Sequence, residues 1–398
     1  MLIEVLIAII AGIFAGSITG LIPGIHINLV ASLVMANITY FVGLPIIALA
    51  CFISALSITH IFMDFIPSIF LGAPDDDTIL AVLPGHKLLK SGEGIKAIKL
   101  MLQGAASAFV VFIICIPIYI LFLPSIQNFI SNAIPYMLIW VSVFIIFRDR
   151  NPFISLAVFS LSGILGFISF NTPVHEPLLP LLTGLFGTSG IITSLSGSKN
   201  IPNQKELPKT NLMPKSKYIF SIIPASIFGA ICSFLPGIGS SHIAVLSSEV
   251  VKQNRKQFLF LTGLSSSLAM LLSFVAAYSI GKTRTGSAAF IKEVLVNISP
   301  LALILIIASS IISAFVAYYL CLKISKKYSV IIPKMNYTYL GIFVISILLI
   351  LNLILTNYIG IVILSTSTAL GIWAIKSGSK RINLMGSLIL PTILYYMT

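Results

Sequence analysis

The chain has 398 residues, of which 58% are hydrophobic and only 9% are charged. Because soluble domains carry roughly 25% charged residues, this composition excludes a water-soluble protein and predicts an all-α polytopic membrane protein in contact with lipid. The net charge of +13 comes from bases in short loops between apolar runs. That distribution is typical of membrane orientation, so nucleic acid is not an expected partner.

A spanning helix needs about 20 apolar residues, and the chain contains two sets of seven apolar segments, some of them short enough to be broken or re-entrant helices. The first set covers residues 2–20, 25–42, 44–72, 100–123, 132–147, 153–170 and 177–195. The second set covers residues 218–234, 238–250, 257–280, 298–322, 337–355, 361–375 and 382–397.

Loop charges predict the orientation. If alternate loops face the cytoplasm, all but three of the 24 Lys and Arg residues fall on that side, and the N-terminus lies outside. The basic, proline-containing linker 199–217 then separates a first transmembrane repeat, 1–198, from a second, 218–398. An odd number of segments makes the two repeats inverted in topology, an architecture found in many secondary transporters.

A Pro-Gly-Ile turn interrupts an apolar stretch near the start of each repeat. Breaks inside a bilayer are tolerated only where they line a cavity or are buried in protein, and a helix that begins at such a break offers unpaired N–H groups to an anion. The alternative is a tight turn without a ligand. The substrate-binding candidates are Pro23, Gly24, Ile25, His26 and Asn28 in the first turn, and Pro236, Gly237, Ile238, Gly239, Ser240 and Ser241 in the second.

A basic loop in the second half is a further candidate for anion binding. Lys282, Arg284 and Thr285 combine two positive charges with a hydroxyl group, which suits carboxylate or phosphate. These bases also break the charge asymmetry. The alternative is an ordinary exposed loop.

Ionisable residues near apolar segments are candidates for ion coupling. His60 and Asp64 are four residues apart and share one face of a predicted helix; the alternative is a hydrogen-bonded structural pair. Asp75, Asp76 and Asp77 open another apolar helix. One of them would suffice as a helix cap, so the three are expected to hold a coupling cation or to face Lys282 and Arg284. No metal-ligand cluster or cofactor motif is present in the sequence.

At these positions the chain resembles the large membrane subunit of the tripartite tricarboxylate transporters, the TctA family. The segments that carry the likeness are Gly20–Gly24, Leu71–Thr78, Leu83–Lys87, Gly92–Ala97 and Pro236–Ser240. Asp75 to Asp77 depart from a mainly neutral stretch, and the short chain is more similar to stand-alone archaeal members. The resemblance implies carboxylate uptake driven by an ion gradient, with a small membrane subunit, a binding protein or a second copy of the chain as a partner.

The leading hypothesis is a secondary active transporter, not an enzyme, for a small organic anion such as a di- or tricarboxylate, coupled to Na⁺ or H⁺. The alternative is a translocase for polyprenyl phosphate or another lipid phosphate, since the same N–H groups suit phosphate. An intramembrane enzyme is a third class, but the sequence offers no convincing nucleophile and base.

Overall fold

A computed structural model describes residues 2–23, 25–41, 43–73, 77–174, 176–195, 201–205, 214–232 and 239–397. In this part of the chain every regular element is a helix, and seven helices are long and apolar enough to cross a membrane. The prediction of an all-α polytopic membrane protein is confirmed.

The helices of the first half are α1 (Leu2–Thr19), α2 (Ile27–Ala36), α3 (Ile46–Ile66), α4 (Val82–Lys90), α5 (Gly94–Phe147), α6 (Pro152–Phe170), α7 (Leu178–Leu182) and α8 (Ser189–Leu195). Those of the second half are α9 (Lys215–Cys232), α10 (Ser240–Val250), α11 (Arg255–Ile280), α12 (Gly286–Leu295), α13 (Pro300–Ile331), α14 (Tyr337–Lys376) and α15 (Gly386–Met397). Segments of π-helix follow α3 at Pro67–Leu71 and join α7 to α8 at Thr183–Thr188. Short 3₁₀ helices cover Ile38–Phe41, Ile79–Ala81, Ile332–Lys334 and Arg381–Met385.

The helices differ from the predicted segments where uncharged sequence was expected to form loops. Segments 100–123 and 132–147 both belong to α5, which contains Pro117, Pro124 and Pro135. The segments 337–355 and 361–375, by contrast, correspond to two helices that meet at a kink at Asn357, where φ is 61°, and the range Tyr337–Lys376 of α14 covers both. In an apolar environment a helix continues past a proline when neighbouring groups satisfy the freed carbonyl, so Pro124 and Pro135 do not end the helical conformation of α5.

Two helices form the centre of the molecule. Within their spanning windows 83% of the residues of α3 and 94% of those of α11 are buried, against 22% for α1. On α1 large apolar side chains such as Ile7, Ile10 and Phe14 are exposed. Because this is a multi-pass membrane protein, that surface is the one that lipid covers.

Small residues allow α1 to lie directly against α3. A Cβ atom at Gly12 would come within 2.5 Å of the carbonyl oxygen of Phe52, and one at Gly20 within 2.6 Å of that of His60. Glycines four residues apart permit such close approach. Gly12, Gly16 and Gly20 therefore serve the packing of α1 on α3.

Helices of one half pack on helices of the other half in a corresponding pattern. Within each half, α1 packs on α3 and α9 on α11. Between the halves, α3 packs on α13 while α11 packs on α5, and α6 packs on α15 while α14 packs on α7 and α8. The central helix α3 therefore lies against α13 of the second half, and the central helix α11 lies against α5 of the first half.

Two basic loops are held at the end of α10. Glu249 at the end of α10 binds Arg148 at 2.9 Å and Lys380 at 3.5 Å. The described part of the linker packs on the first half, since Gln204 accepts the N–H of Gly94 at 2.8 Å and the Lys205 N–H donates to the carbonyl of Gly92 at 2.7 Å.

Candidate functional site

The first Pro-Gly turn separates α1 from the short helix α2. Pro23 and Gly20 are buried, and Ile25 lies at the entry to α2. The imidazole of His26 caps α2, because its Nδ1 accepts the backbone N–H of Asn28 at 2.9 Å. Gly24 lies outside the described residues.

The second turn leads into α10, and its described portion begins at Gly239; Pro236, Gly237 and Ile238 lie outside the described residues. Here too an imidazole binds a backbone N–H, since Nδ1 of His242 accepts that of Gly239 at 3.0 Å. An accepting Nδ1 places the proton of a neutral imidazole on Nε2. His242 is 0% exposed, and in the described structure its Nε2 has no hydrogen-bond partner.

Each turn contacts a loop from the other half. In the first turn, Asn28 accepts the N–H of Gly286 through Oδ1 at 2.7 Å, at the start of α12. In the second, the Ser240 hydroxyl donates to the carboxylate and, at 3.2 Å, to the carbonyl of Asp77. The structure therefore brings together four elements that the sequence singled out: both turns, the basic loop and the last of the three acids.

The basic loop is held from α11 and places Arg284 beside the second turn. The hydroxyl of Ser273 accepts the N–H groups of Arg284 and Thr285, both at 3.3 Å. Nη2 of Arg284 lies 3.8 Å from the position that a Cβ on Gly239 would take. Its Nη1 is buried and has no partner in the described structure. Lys282 is half-buried on the same loop.

The start of α10 thus combines three features that favour an anion. It is the positive end of a helix dipole, and the buried donors of His242 and Arg284 lie nearby without acceptors among the described residues. A buried donor without a partner costs free energy, and a carboxylate or phosphate would satisfy both donors. Ser241, also 0% exposed, belongs to the same first turn of α10.

The ionisable pair on α3 is buried, but its two members have different partners. His60 is 1% exposed, with Nδ1 3.0 Å from the hydroxyl of Thr19 at the end of α1. Asp64 is 6% exposed, and its Oδ2 accepts hydroxyl groups from Thr78 at 2.6 Å and Ser68 at 3.1 Å. A carboxylate among hydroxyl oxygens is the type of ligand set that hard cations prefer.

Consecutive residues connect this carboxylate to the start of α10. Thr78 binds Asp64, and its neighbour Asp77 accepts the hydroxyls of Ser240 and, at 3.3 Å, Ser266. Asp75 and Asp76 lie outside the described residues. A displacement of residues 77–78 would therefore change the hydrogen bonds of both Asp64 and Ser240.

An apolar cavity of about 310 Å³ lies between α5, α9 and α10. Side chains of α5, α9 and α10 line it, among them Tyr136, Trp140, Phe228, Cys232 and Leu246. Cys232 directly precedes the turn in sequence.

Sequence reasoning did not assign His242 or Arg381 to a site. His242 follows Gly239 by three residues. This is the N3 position of a helix that begins after the turn, and a side chain at N3 can accept the N–H of the capping residue. Arg381 was grouped with the bases of the cytoplasmic loops, but it is only 9% exposed. Its burial depends on packing between distant elements, which no local pattern indicates.

Comparisons with known proteins agree with the resemblance found in the sequence. A family model described as “Tripartite tricarboxylate transporter TctA family” matches residues 6–386. The chain is also similar to “Uncharacterized protein MJ1079” of Methanocaldococcus jannaschii, with 34% identity over 361 residues that cover 87% of this chain and 88% of the relative. No solved structure matches the chain significantly.

Proposed function

Because the chain belongs to the tripartite tricarboxylate transporter TctA family, we propose that it is a secondary active transporter for a small organic anion. The substrate is a di- or tricarboxylate, and transport is coupled to Na⁺ or H⁺. The observation that carries this proposal is the pair of buried donors of His242 and Arg284 at the start of α10, which have no partner in the described part of the chain.

The substrate carboxylate binds between these two donors and the first turn of α10. The Arg284 guanidinium supplies charge-assisted hydrogen bonds, and the Nε2–H of His242 supplies a neutral donor. Asn28 and Thr285 fix the end of the loop that carries Arg284, because both accept N–H groups at the start of α12.

Asp64 carries the coupling ion, either as a proton on its carboxylate or as Na⁺ held with the hydroxyls of Ser68 and Thr78. Residues 77–78 transmit its occupancy to α10, since Thr78 binds Asp64 and Asp77 binds Ser240. Two sites that bias the same element are energetically coupled, which is the requirement for symport.

The two repeats, 1–198 and 218–398, are inverted copies joined by a basic cytoplasmic linker, 199–217. The matched exchange of partners between α3, α13, α11 and α5 supports this relation. The contacts of Glu249 with Arg148 and Lys380 join loops expected on one side, and that side is the cytoplasm. The N-terminus then lies outside, and labelling of an introduced cysteine from each side of the membrane tests this orientation.

Uptake by reconstituted protein tests the function. Proteoliposomes are expected to accumulate a labelled di- or tricarboxylate when an inward Na⁺ or H⁺ gradient is imposed, and Arg284→Gln is expected to abolish accumulation. Absence of uptake for a panel of carboxylates under both gradients would contradict the proposal.

The apolar cavity favours one second candidate, a lipid-phosphate translocase. A prenyl or acyl chain would occupy the cavity lined by Tyr136, Trp140 and Phe228, with its phosphate at the start of α10. Mass spectrometry of lipids that copurify with the protein distinguishes the two functions: stoichiometric polyprenyl phosphate supports the translocase, and its absence together with carboxylate uptake supports the transporter.

A further inference from the structure

Arg381 is a buried cation that lies far from both Pro-Gly turns in the sequence. It begins the 3₁₀ helix Arg381–Met385 that leads into α15, and its residue surface is only 9% exposed. Burying a charged group without a compensating partner is unfavourable, and ionisable residues inside membrane proteins are functional candidates.

The described protein groups around Arg381 leave its charge uncompensated. Nη2 donates to the backbone carbonyl of Phe186, and the guanidinium carbon lies 5.7 Å from the centre of the Phe186 ring. The Nε atom is buried and has no hydrogen-bond partner among the residues that the structure describes. No carboxylate among the described residues forms an ion pair with this side chain.

Asp149 contacts the same segment, but its carboxylate is used elsewhere. It accepts the N–H of Lys380 at 2.8 Å, the amide of Asn383 at 2.9 Å and the hydroxyl of Ser155. These bonds hold the backbone of the segment and leave the guanidinium without a counter-ion.

The guanidinium lies against unusual local structure. Phe186 belongs to the π-helix Thr183–Thr188, a conformation that is frequent at functional sites. A Cβ atom on Gly190 would lie 3.2 Å from Nη2, so a larger residue there would crowd the charge. The ring Nε2 of His86, on which the Arg381 charge acts, is also buried and has no partner in the described ranges.

The same 3₁₀ helix reaches the proposed anion site. Cε of Met385 lies 3.9 Å from the position of a Cβ on Gly239, where Nη2 of Arg284 lies at 3.8 Å. A 3₁₀ helix rises about 2 Å per residue, so the backbone of Arg381 is about 8 Å along the helix from Met385. The segment that carries Arg381 is therefore in contact with the start of α10 through Met385.

We propose that Arg381 binds a second anionic group of the transported molecule while Arg284 binds the first. Arg381 therefore selects substrates with two or more carboxylates over those with one. This inference rests on the proposed transport function. Its physical basis is that a carboxylate supplies the counter-charge and hydrogen-bond acceptors that the described residues around Arg381 do not.

The test uses Arg381→Met in the full-length purified protein, with Lys376→Met as the control for loss of one charge at an exposed position. Binding of succinate, citrate and butyrate is measured by calorimetric titration and by the shift in unfolding temperature. In the wild type at least one of the two polycarboxylates is expected to bind more tightly than butyrate. Arg381→Met is expected to weaken polycarboxylate binding at least about tenfold, the cost of a lost charge-assisted hydrogen bond, and to leave butyrate binding unchanged.

The ligand-free stability of Arg381→Met separates a binding role from a structural one. Replacing a buried charge that lacks an ion-pair partner with an apolar side chain is expected to leave the unfolding temperature equal to or above that of the wild type. A lower unfolding temperature, an unchanged polycarboxylate affinity, or equal losses for succinate and butyrate would each overturn the inference and leave the transport function standing. Failure of the wild type to bind or transport any organic anion would instead overturn the transport function, and this inference with it.

Discussion

Two side chains near the start of α10 present buried N–H groups that have no acceptor within the described ranges of the chain. His242 does so because its other ring nitrogen is committed to the backbone of Gly239, and Arg284 because its loop is fixed by Ser273. Both are therefore held in place before a ligand arrives. Preorganised donors bind more tightly than flexible ones, since less conformational freedom is lost on binding.

A matched pair of substitutions tests the donor role of His242. At N3 of a helix both Gln and Glu can accept the N–H of the capping residue, but only Gln keeps a donor. Substrate affinity is expected to remain within about threefold for His242→Gln and to fall at least about tenfold for His242→Glu, as measured by titration of purified protein. Wild-type affinity in His242→Glu would contradict the assignment.

Asp64 is expected to govern coupling rather than substrate binding. In Asp64→Asn gradient-driven uptake should fall at least about tenfold, because the amide carries neither a titratable proton nor a full negative charge for Na⁺. Exchange of external for internal substrate should persist. Glu293→Gln, which changes an exposed carboxylate on α12, serves as the control. Gradient-stimulated uptake by Asp64→Asn would exclude Asp64 as the ion site.

Much of the candidate site was accessible from the sequence, for a physical reason. Helix breakers and charges inside apolar sequence are expensive, so Gly239, Ser240, Asp77 and Arg284 stand out against their surroundings. The hydrogen bond between Ser240 and Asp77 and the burial of Arg381 depend on packing between the halves, and no local pattern encodes them.

At the scale of helices, the contact between α5 and α11 depends on glycine on both sides. A Cβ on Gly104 would lie 2.8 Å from the backbone nitrogen of Leu264, and one on Gly263 2.7 Å from the carbonyl carbon of Met101. Backbone atoms cannot move aside as a flexible side chain can. The spacing of the central helix from its partner in the other half is therefore fixed by these two residues.

Gly104→Ala is accordingly expected to destabilise the protein by about 1–3 kcal/mol, the usual cost of overpacking. Thermal unfolding in detergent measures this cost. The control is Ala106→Leu on the same helix, which adds more volume at an exposed position and should leave the unfolding temperature close to that of the wild type. Equal stability of Gly104→Ala and the wild type would show that α5 and α11 are free to separate.

Asp149 joins the turn between α5 and α6 to the 3₁₀ helix before α15. Burial alone would raise the pKa of its carboxyl group, but hydrogen bonds from Ser155 and from the amides of Lys380 and Arg150 lower the pKa below its usual value. A depressed pKa contributes stability above the unfolded-state pKa and loses it as pH falls through the folded value. This contribution is therefore expected to disappear below about pH 4.

Unfolding temperatures measured across the acid range test this expectation. The wild type should lose more stability than Asp149→Asn as pH falls below about 4, because the variant has no carboxylate to protonate at this position. Parallel pH profiles for the two proteins would contradict the role of Asp149 in fixing the segment.

Hydropathy located most spans but not their connections. The segments at 100–123 and 132–147 are apolar on both sides of Pro124 and Pro135, and α5 continues through both prolines. Conversely, α2 ends at Ala36, before the predicted end at residue 42, although the sequence remains apolar. Composition indicates whether a segment lies in an apolar environment. The course of the chain within that environment depends on which neighbouring groups form hydrogen bonds with its backbone.

At the scale of the whole molecule, the halves depend on each other for their cores. The most buried helices, α3 and α11, lie against α13 and α5 of the opposite half. Each turn forms a hydrogen bond with a residue of the opposite half, since Asn28 binds Gly286 and Ser240 binds Asp77. A movement of one half against the other would therefore rearrange both turns together, as alternating access requires.

The most direct measurement of the central claim is a cryo-electron microscopy structure of the protein bound to the carboxylate that it transports. The account predicts density for the anion at the start of α10, within hydrogen-bonding distance of the Arg284 guanidinium and Nε2 of His242. Density for the substrate at any other place, or lipid phosphate at the start of α10 with its chain in the cavity between α5 and α9, would contradict it.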